Sequence, residues 1–166
     1  MTTYTNKTYV AFDADNDIRY YRLMQAWKKN DNTFFNFYDA HDLNNLMSWS
    51  SEETIKSKLA ERLRNTKVFI LLVGNNTKHL YKFVRWEIEQ AIKRQIPIIV
   101  VNLNGKRSKD SSLCPAILDD ELAVHVIFNQ KIIEYAINNW VASDLSYRND
   151  GKTGAYYYKD SVYEQL

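Results

Sequence analysis

Two unbroken apolar runs, Val68–Val73 and Ile96–Val101, constrain the fold of this chain more than any other feature. A strand with one wet face alternates apolar and polar residues. An unbroken run needs cover on both faces, which is the situation of a parallel strand between two helix layers. The surrounding pattern agrees. Thr8–Phe12 reads as a strand that stops at the acidic loop Asp13-Ala14-Asp15-Asn16-Asp17. Tyr20, Leu23, Met24 and Trp27 then recur at i, i+3, i+4 and i+7, the spacing of one helix face.

Phe34–Tyr38 is the next strand candidate, followed by a polar connection from Asp39 to Ser48. Ser50 with Glu53 reads as a capping box that opens a helix carrying Ile55, Leu59 and Leu63 on one face. Val68–Val73 is closed by Gly74-Asn75-Asn76, a helix is expected from Phe83 to Arg94, and Pro97–Asn102 is a further strand. Leu122–Phe128 is the fifth expected strand, and Ile133, Ala136, Ile137 and Trp140 mark the last helix. The expected fold class is α/β: a flavodoxin-like, doubly wound sheet of five parallel strands with helices on both faces. Right-handed crossovers bring the loops after the first three strands to one rim, where such sheets bind ligands.

The expected domain spans residues 1–142, and a polar, Tyr-rich extension spans 143–166. Asp150-Gly151 is a turn signal within that extension, which reads as a short hairpin or a strand laid on the domain. A chain of 166 residues buries about 70% of its unfolded surface, enough for one core without a metal or disulfide.

The net charge of +2 and the lack of a long basic stretch argue against a nucleic-acid binder. Cys114 is the single cysteine, so no internal disulfide or cysteine-based zinc cluster forms. No signal-peptide pattern opens the sequence, and neither apolar run approaches the roughly 18 residues of a membrane span. A cytoplasmic protein without membrane attachment is expected. The four glycines lie at 74, 105, 151 and 154, which removes the phosphate-cradling Gly-rich loops. His41, His79 and His125 have no ligand spacing and read as structural or solvated; Cys114 reads as a loop residue.

Glu87 is the most informative titratable residue. At roughly 100° per residue, Val84, Ile88, Ala91 and Ile92 form the buried stripe of its helix, and Glu87 falls on its flank. A carboxylate there is partly desolvated. Its i+4 neighbour is Ala91, so it has no helical ion pair, whereas Glu89 has Lys93. The same pattern also describes a glutamate at the rim of an amphipathic helix. Asp13, Asp15 and Asp17 suit either a cation site or helix capping. A phosphoryl-accepting receiver is disfavoured, because Val73-Gly74-Asn75 supplies no carboxylate after the third strand.

Four segments together resemble the bacterial TIR-like family of Thoeris ThsB-type antiphage proteins. They are Phe12-Asp13-Ala14-Asp15, Leu71-Leu72-Val73-Gly74-Asn75-Asn76-Thr77, Val84-Arg85-Trp86-Glu87-Ile88 and Pro97-Ile98-Ile99-Val100. The resemblance runs from about Thr8 to Leu103. It implies a TIR fold and cleavage of the nicotinamide–ribose bond of NAD⁺, with an ADP-ribose-derived signal passed to a partner effector. It places the catalytic role on Glu87, puts Phe12 and Asp13 in the first-strand loop of the substrate cleft, and sets the Asp39–Trp49 connection where the family has a mobile loop; Asp17, Asp39, Asn75, Phe83 and Trp86 are further candidate substrate contacts. NAD⁺ is the substrate, and neither a separate cofactor nor a metal is implied. Self-association or a phage-protein trigger also belongs to this reading.

The chain departs from the family at two points: Phe83 stands where Trp is usual, and Ala11 where a small hydroxyl residue is common. Two other functions stay open on the sequence. One is a non-catalytic TIR-like interaction module presenting aromatic residues, and the other is a nucleotide sensor that binds without cleaving.

Overall fold

A computed structural model describes residues 7–30 and 51–166. In chain order the elements are β1 (Thr8–Ala11), α1 (Ile18–Lys29), α2 (Glu52–Arg64), β2 (Val68–Val73), α3 (Val84–Lys93) and β3 (Ile98–Asn102). They continue with β4 (Ala123–Ile127), α4 (Gln130–Asn149), β5 (Ala155–Tyr157) and α5 (Asp160–Gln165). Short 3-10 turns occupy Thr77–His79 and Ala116–Leu118. The described strands form one five-stranded sheet in the order β1-β2-β3-β4-β5, with every pairing parallel. This is the α/β, flavodoxin-like architecture that the unbroken apolar runs demand. The expected strand at Phe34–Tyr38, the connection after it and Asp39 lie outside the described residues.

The sheet feeds two cores. Tyr9, Ala11, Phe69, Leu71 and Val100 face Ile55, Leu59 and Leu63 of α2 and Val84, Ile88 and Ala91 of α3. Val10, Ile70, Leu72, Ile99 and Val101 face Tyr21 and Met24 of α1 and Ile133, Ile137 and Trp140 of α4. Every residue of β2 and β3 is buried. Each large aliphatic side chain so buried contributes about 1.5–3 kcal/mol relative to exposure, which makes these two strands the centre of stability.

The helix caps differ slightly from expectation. Ser51, not Ser50, is the N-cap of α2; its backbone is extended and its hydroxyl accepts from Thr54 N at 3.2 Å. Glu53 points the sequence reading to Ser50, but the hydroxyl of Ser51 meets the Thr54 amide one residue later. Asp17 occupies the N-cap position of α1 without a side-chain capping bond.

The last helix runs past the expected start of the C-terminal extension. Helix α4 runs to Asn149, so Ser143 lies within it and the extension leaves the domain at Asp150-Gly151. Gly151 has φ +71°, the left-handed conformation that glycine supplies just past a helix end. The chain then forms β5, a fifth parallel strand laid on β4, the second of the two forms expected for it. Tyr156 stacks on Tyr147 at 4.6 Å and meets Trp140 at 5.8 Å. Arg107 pairs with Asp160 at 2.9 Å and lies 4.1 Å over the Tyr163 ring, which seats α5 on the loop after β3. No helix among the described residues is long and apolar enough to cross a membrane.

Candidate active site

Glu87 sits in the first turn of α3, its amide donating to Phe83 O at 2.8 Å. The start of that helix is tied to the sheet by Thr77, whose hydroxyl accepts from Gly74 N at 2.9 Å and donates to Leu72 O. Glu87 is 8% exposed, more deeply buried than a position on the flank of the apolar stripe suggests. The reason is β1. Tyr9 points from the same sheet face toward α3, and its hydroxyl donates to Glu87 Oε2. The carboxyl is thus enclosed by the strand as well as the helix.

A helix N-terminus favours an anion, and so does the hydrogen bond from Tyr9. Burial outweighs both and raises the Glu87 pKa to about 7. A carboxyl that titrates near neutrality in the wall of a cavity is the usual mark of a functional group.

The cavity it borders has a volume of about 420 Å³, within the range of small-molecule sites. Its walls come from the end of β1 and the loop after it, from Ile55 and Leu59 of α2, and from the segment that leads into α3. Phe12, Asp13, Phe83 and Glu87 meet around it. Phe12 stacks on Tyr21 at 4.7 Å, so two aromatic rings line the β1 side. Asp13 is buried and turned to its own loop: its carboxylate accepts from Asn16 Nδ2 at 2.7 Å and from the Asp15 amide at 3.1 Å. It shapes the cavity rim by holding that loop.

The other sequence candidates stand elsewhere. Asp17 is buried against Gly74, where a β-carbon would lie 2.3 Å from Asp17 Oδ2. Desolvation, then the Asp13 charge, raises its pKa. Asn75 is exposed beside the cavity's supporting turn and does not line it. Trp86 is half-buried against the core formed with α2, with Lys56 Nζ 5.6 Å from its ring. Phe83 lines the cavity at the position where the family pattern has Trp.

Sequence reasoning missed Tyr9 and the cavity-lining segment His79–Lys82. The strand alternation held the signal for Tyr9, since positions 9 and 11 share the face that meets α3.

A second cavity of about 420 Å³ lies on the other side of the Thr77–Tyr81 segment and reaches Cys114. Burial raises the Cys114 pKa to about 11, so the thiol is a core residue with no thiolate character at neutral pH. It offers no counterpart to Glu87.

A family model described as the Thoeris protein ThsB, TIR-like domain, matches residues 9–108, more than half of the chain. The chain belongs to this family. Its TIR-like core therefore extends from β1 through the loop after β3. All of the walls of the Glu87 cavity fall inside that match. The elements β4, α4, β5 and α5 follow the matched region and complete the sheet. This antiphage-defence TIR-like protein carries the family core with Glu87 buried at the head of α3.

Proposed function

We propose that this TIR-like protein cleaves the nicotinamide–ribose bond of NAD⁺ and that Glu87 is the catalytic carboxylate. The observation that carries this reading is the Glu87 carboxyl, poised near pH 7 in the wall of a cavity with aromatic sides. Ordinary glycosidases need two carboxyls because a sugar alkoxide is a poor leaving group. Nicotinamide is different: when the C1′–N bond breaks, the electron pair neutralises the pyridinium, and no acid is required. The positive charge then passes to the ribose as an oxocarbenium ion. One carboxylate that accepts from the ribose hydroxyls and faces that charge supplies the stabilisation.

Phe12 and Phe83 offer flat apolar surfaces to the pyridine ring, and the remainder of the dinucleotide extends out of the cavity mouth. Water at C1′ gives ADP-ribose and a proton. Attack from another part of the same molecule gives a cyclic product. Either product is a diffusible nucleotide suited to activating a partner effector.

The test is incubation of the purified protein with NAD⁺, alone and in extracts of phage-infected cells, followed by chromatography for nicotinamide. Glu87→Ala is expected to lower release by about 10²–10³ or more. Equal release by wild type and variant under both conditions overturns the reading. Activity is also expected to rise with pH through about 7, as the carboxyl ionises.

A further inference from the structure

We propose that Tyr9 is the positioning residue of this site, holding Glu87 Oε2 from behind so that Oε1 serves the ligand. The inference rests on the reading of Glu87 as the working carboxylate and adds what orients it. Tyr9 is 4% exposed and does not line the cavity, so it acts through Glu87 and touches no ligand. Its ring is stacked on Phe69 of β2 at 5.6 Å with planes 11° apart, which fixes the direction of the hydroxyl. Among the described residues no other side chain donates to the Glu87 carboxyl.

A carboxylate accepts on both oxygens, and with Tyr9 on Oε2 the other oxygen keeps its full accepting capacity. Here that leaves Oε1, the oxygen without a partner among the described residues, on a residue that lines the cavity. The sheet supplies the rigidity: β1 is paired along its length with β2, whose residues are all buried. Positioning groups on strands keep tighter geometry than groups on loops.

The hydrogen bond also favours the charged form of the carboxyl against its desolvation. Other charges surround the pair. Arg62 of α2 acts on Tyr9 from one side. His79 and Lys82 from the segment before α3, and Asp13 and Asp15 from the loop after β1, border the same cavity. Tyr9 differs from all of these in its direct bond to the carboxyl.

Tyr9→Phe keeps the ring stacked on Phe69 and removes only the donor. Selective ¹³C labelling of glutamate carboxyls, with Glu87→Gln to assign the resonance, reads the Glu87 titration in the full chain. Its midpoint is expected to move up by about one pH unit in Tyr9→Phe. NAD⁺ cleavage is expected to lose roughly fivefold at pH 7 and little at pH 9, with its ascending limb displaced in parallel. An unchanged midpoint overturns the inference, even where cleavage by the wild type is robust. Absence of NAD⁺ cleavage under every condition overturns the enzyme reading instead, and the carboxyl titration then decides the role of Tyr9 on its own.

Discussion

At the scale of single residues, Glu87 carries a cost that burial imposes on its charge. Its folded pKa of about 7 lies above the ordinary value of 4.5, with burial as the first cause. Between those two pH values the folded chain keeps a proton that the unfolded chain has lost, so stability falls as pH rises through the window. Fully developed above pH 7, the loss is about 3 kcal/mol. Glu87→Gln keeps the shape without the charge. Urea unfolding is therefore expected to show the variant gaining on the wild type from pH 4.5 to 8, by about that amount in total. Parallel pH profiles would show that the carboxyl is not desolvated. Gly74 is constrained differently, by the closeness of its backbone to the Asp17 carboxylate. Because Thr77 also holds the Gly74 amide, the backbone cannot easily retreat. Gly74→Ala is expected to destabilise by about 1–3 kcal/mol through this overpacking, measured by the same unfolding titration, and Gly74→Ala with Asp17→Ala is expected to recover part of it. Neither the Asp17–Gly74 contact nor the Tyr9–Glu87 bond was legible in the sequence, since both join positions more than fifty residues apart.

At the scale of elements, legibility followed burial. Strands β2 and β3 were plain because cover on both faces writes an unbroken apolar run. Helix α3 was plain because one stripe faces the sheet and the other faces water. A polar residue that is buried obscured the extent of α4. Asp144 lies inward on α4 with its carboxylate on Arg148 Nε at 2.9 Å, and a charge at that position disguises the helix as the start of a polar tail. His125 is the buried polar residue of β4, a strand that the sequence shows in spite of it: it is fully buried, and neither ring nitrogen has a hydrogen-bond partner among the described residues. Burial, aided by the Lys109 charge, lowers its pKa to about 4. The folded state then refuses a proton that the unfolded state accepts below pH 6.5, so stability contributed by the neutral ring is lost as pH falls toward 4. His125→Leu is expected to remove this acid sensitivity, while stability at pH 7 holds or rises as two unpaired polar atoms leave the core. Thermal melts from pH 4 to 7 check it. A variant with the same acid slope as the wild type would assign that slope to other groups.

At the scale of the whole molecule, the Glu87 site and the C-terminal extension occupy opposite ends of one sheet. The site lies at β1, an edge of the described sheet, and the extension adds β5 beyond β4. The tail was legible as tyrosine-rich and turn-led, but a three-residue strand carries too little alternation to reveal its partner. Its aromatic side chains are where its energy lies: Tyr156 between Tyr147 and Trp140, and Tyr158 edge-on to Tyr135 at 5.1 Å. Such ring pairs add about 0.5–1.5 kcal/mol each beyond the area they bury. Removing residues 151–166 would uncover those rings and leave β4 as an unpaired edge, a template for association. The truncated chain is expected to melt roughly 10 °C lower and to scatter light in proportion to its concentration. At a temperature where it remains folded, its Glu87 carboxyl is expected to titrate as in the full chain, because β1, α2 and α3 keep their contacts. Loss of the Glu87 titration together with the melt would mean that the sheet transmits order from β5 to β1, and that the extension belongs to the site as well as to the fold.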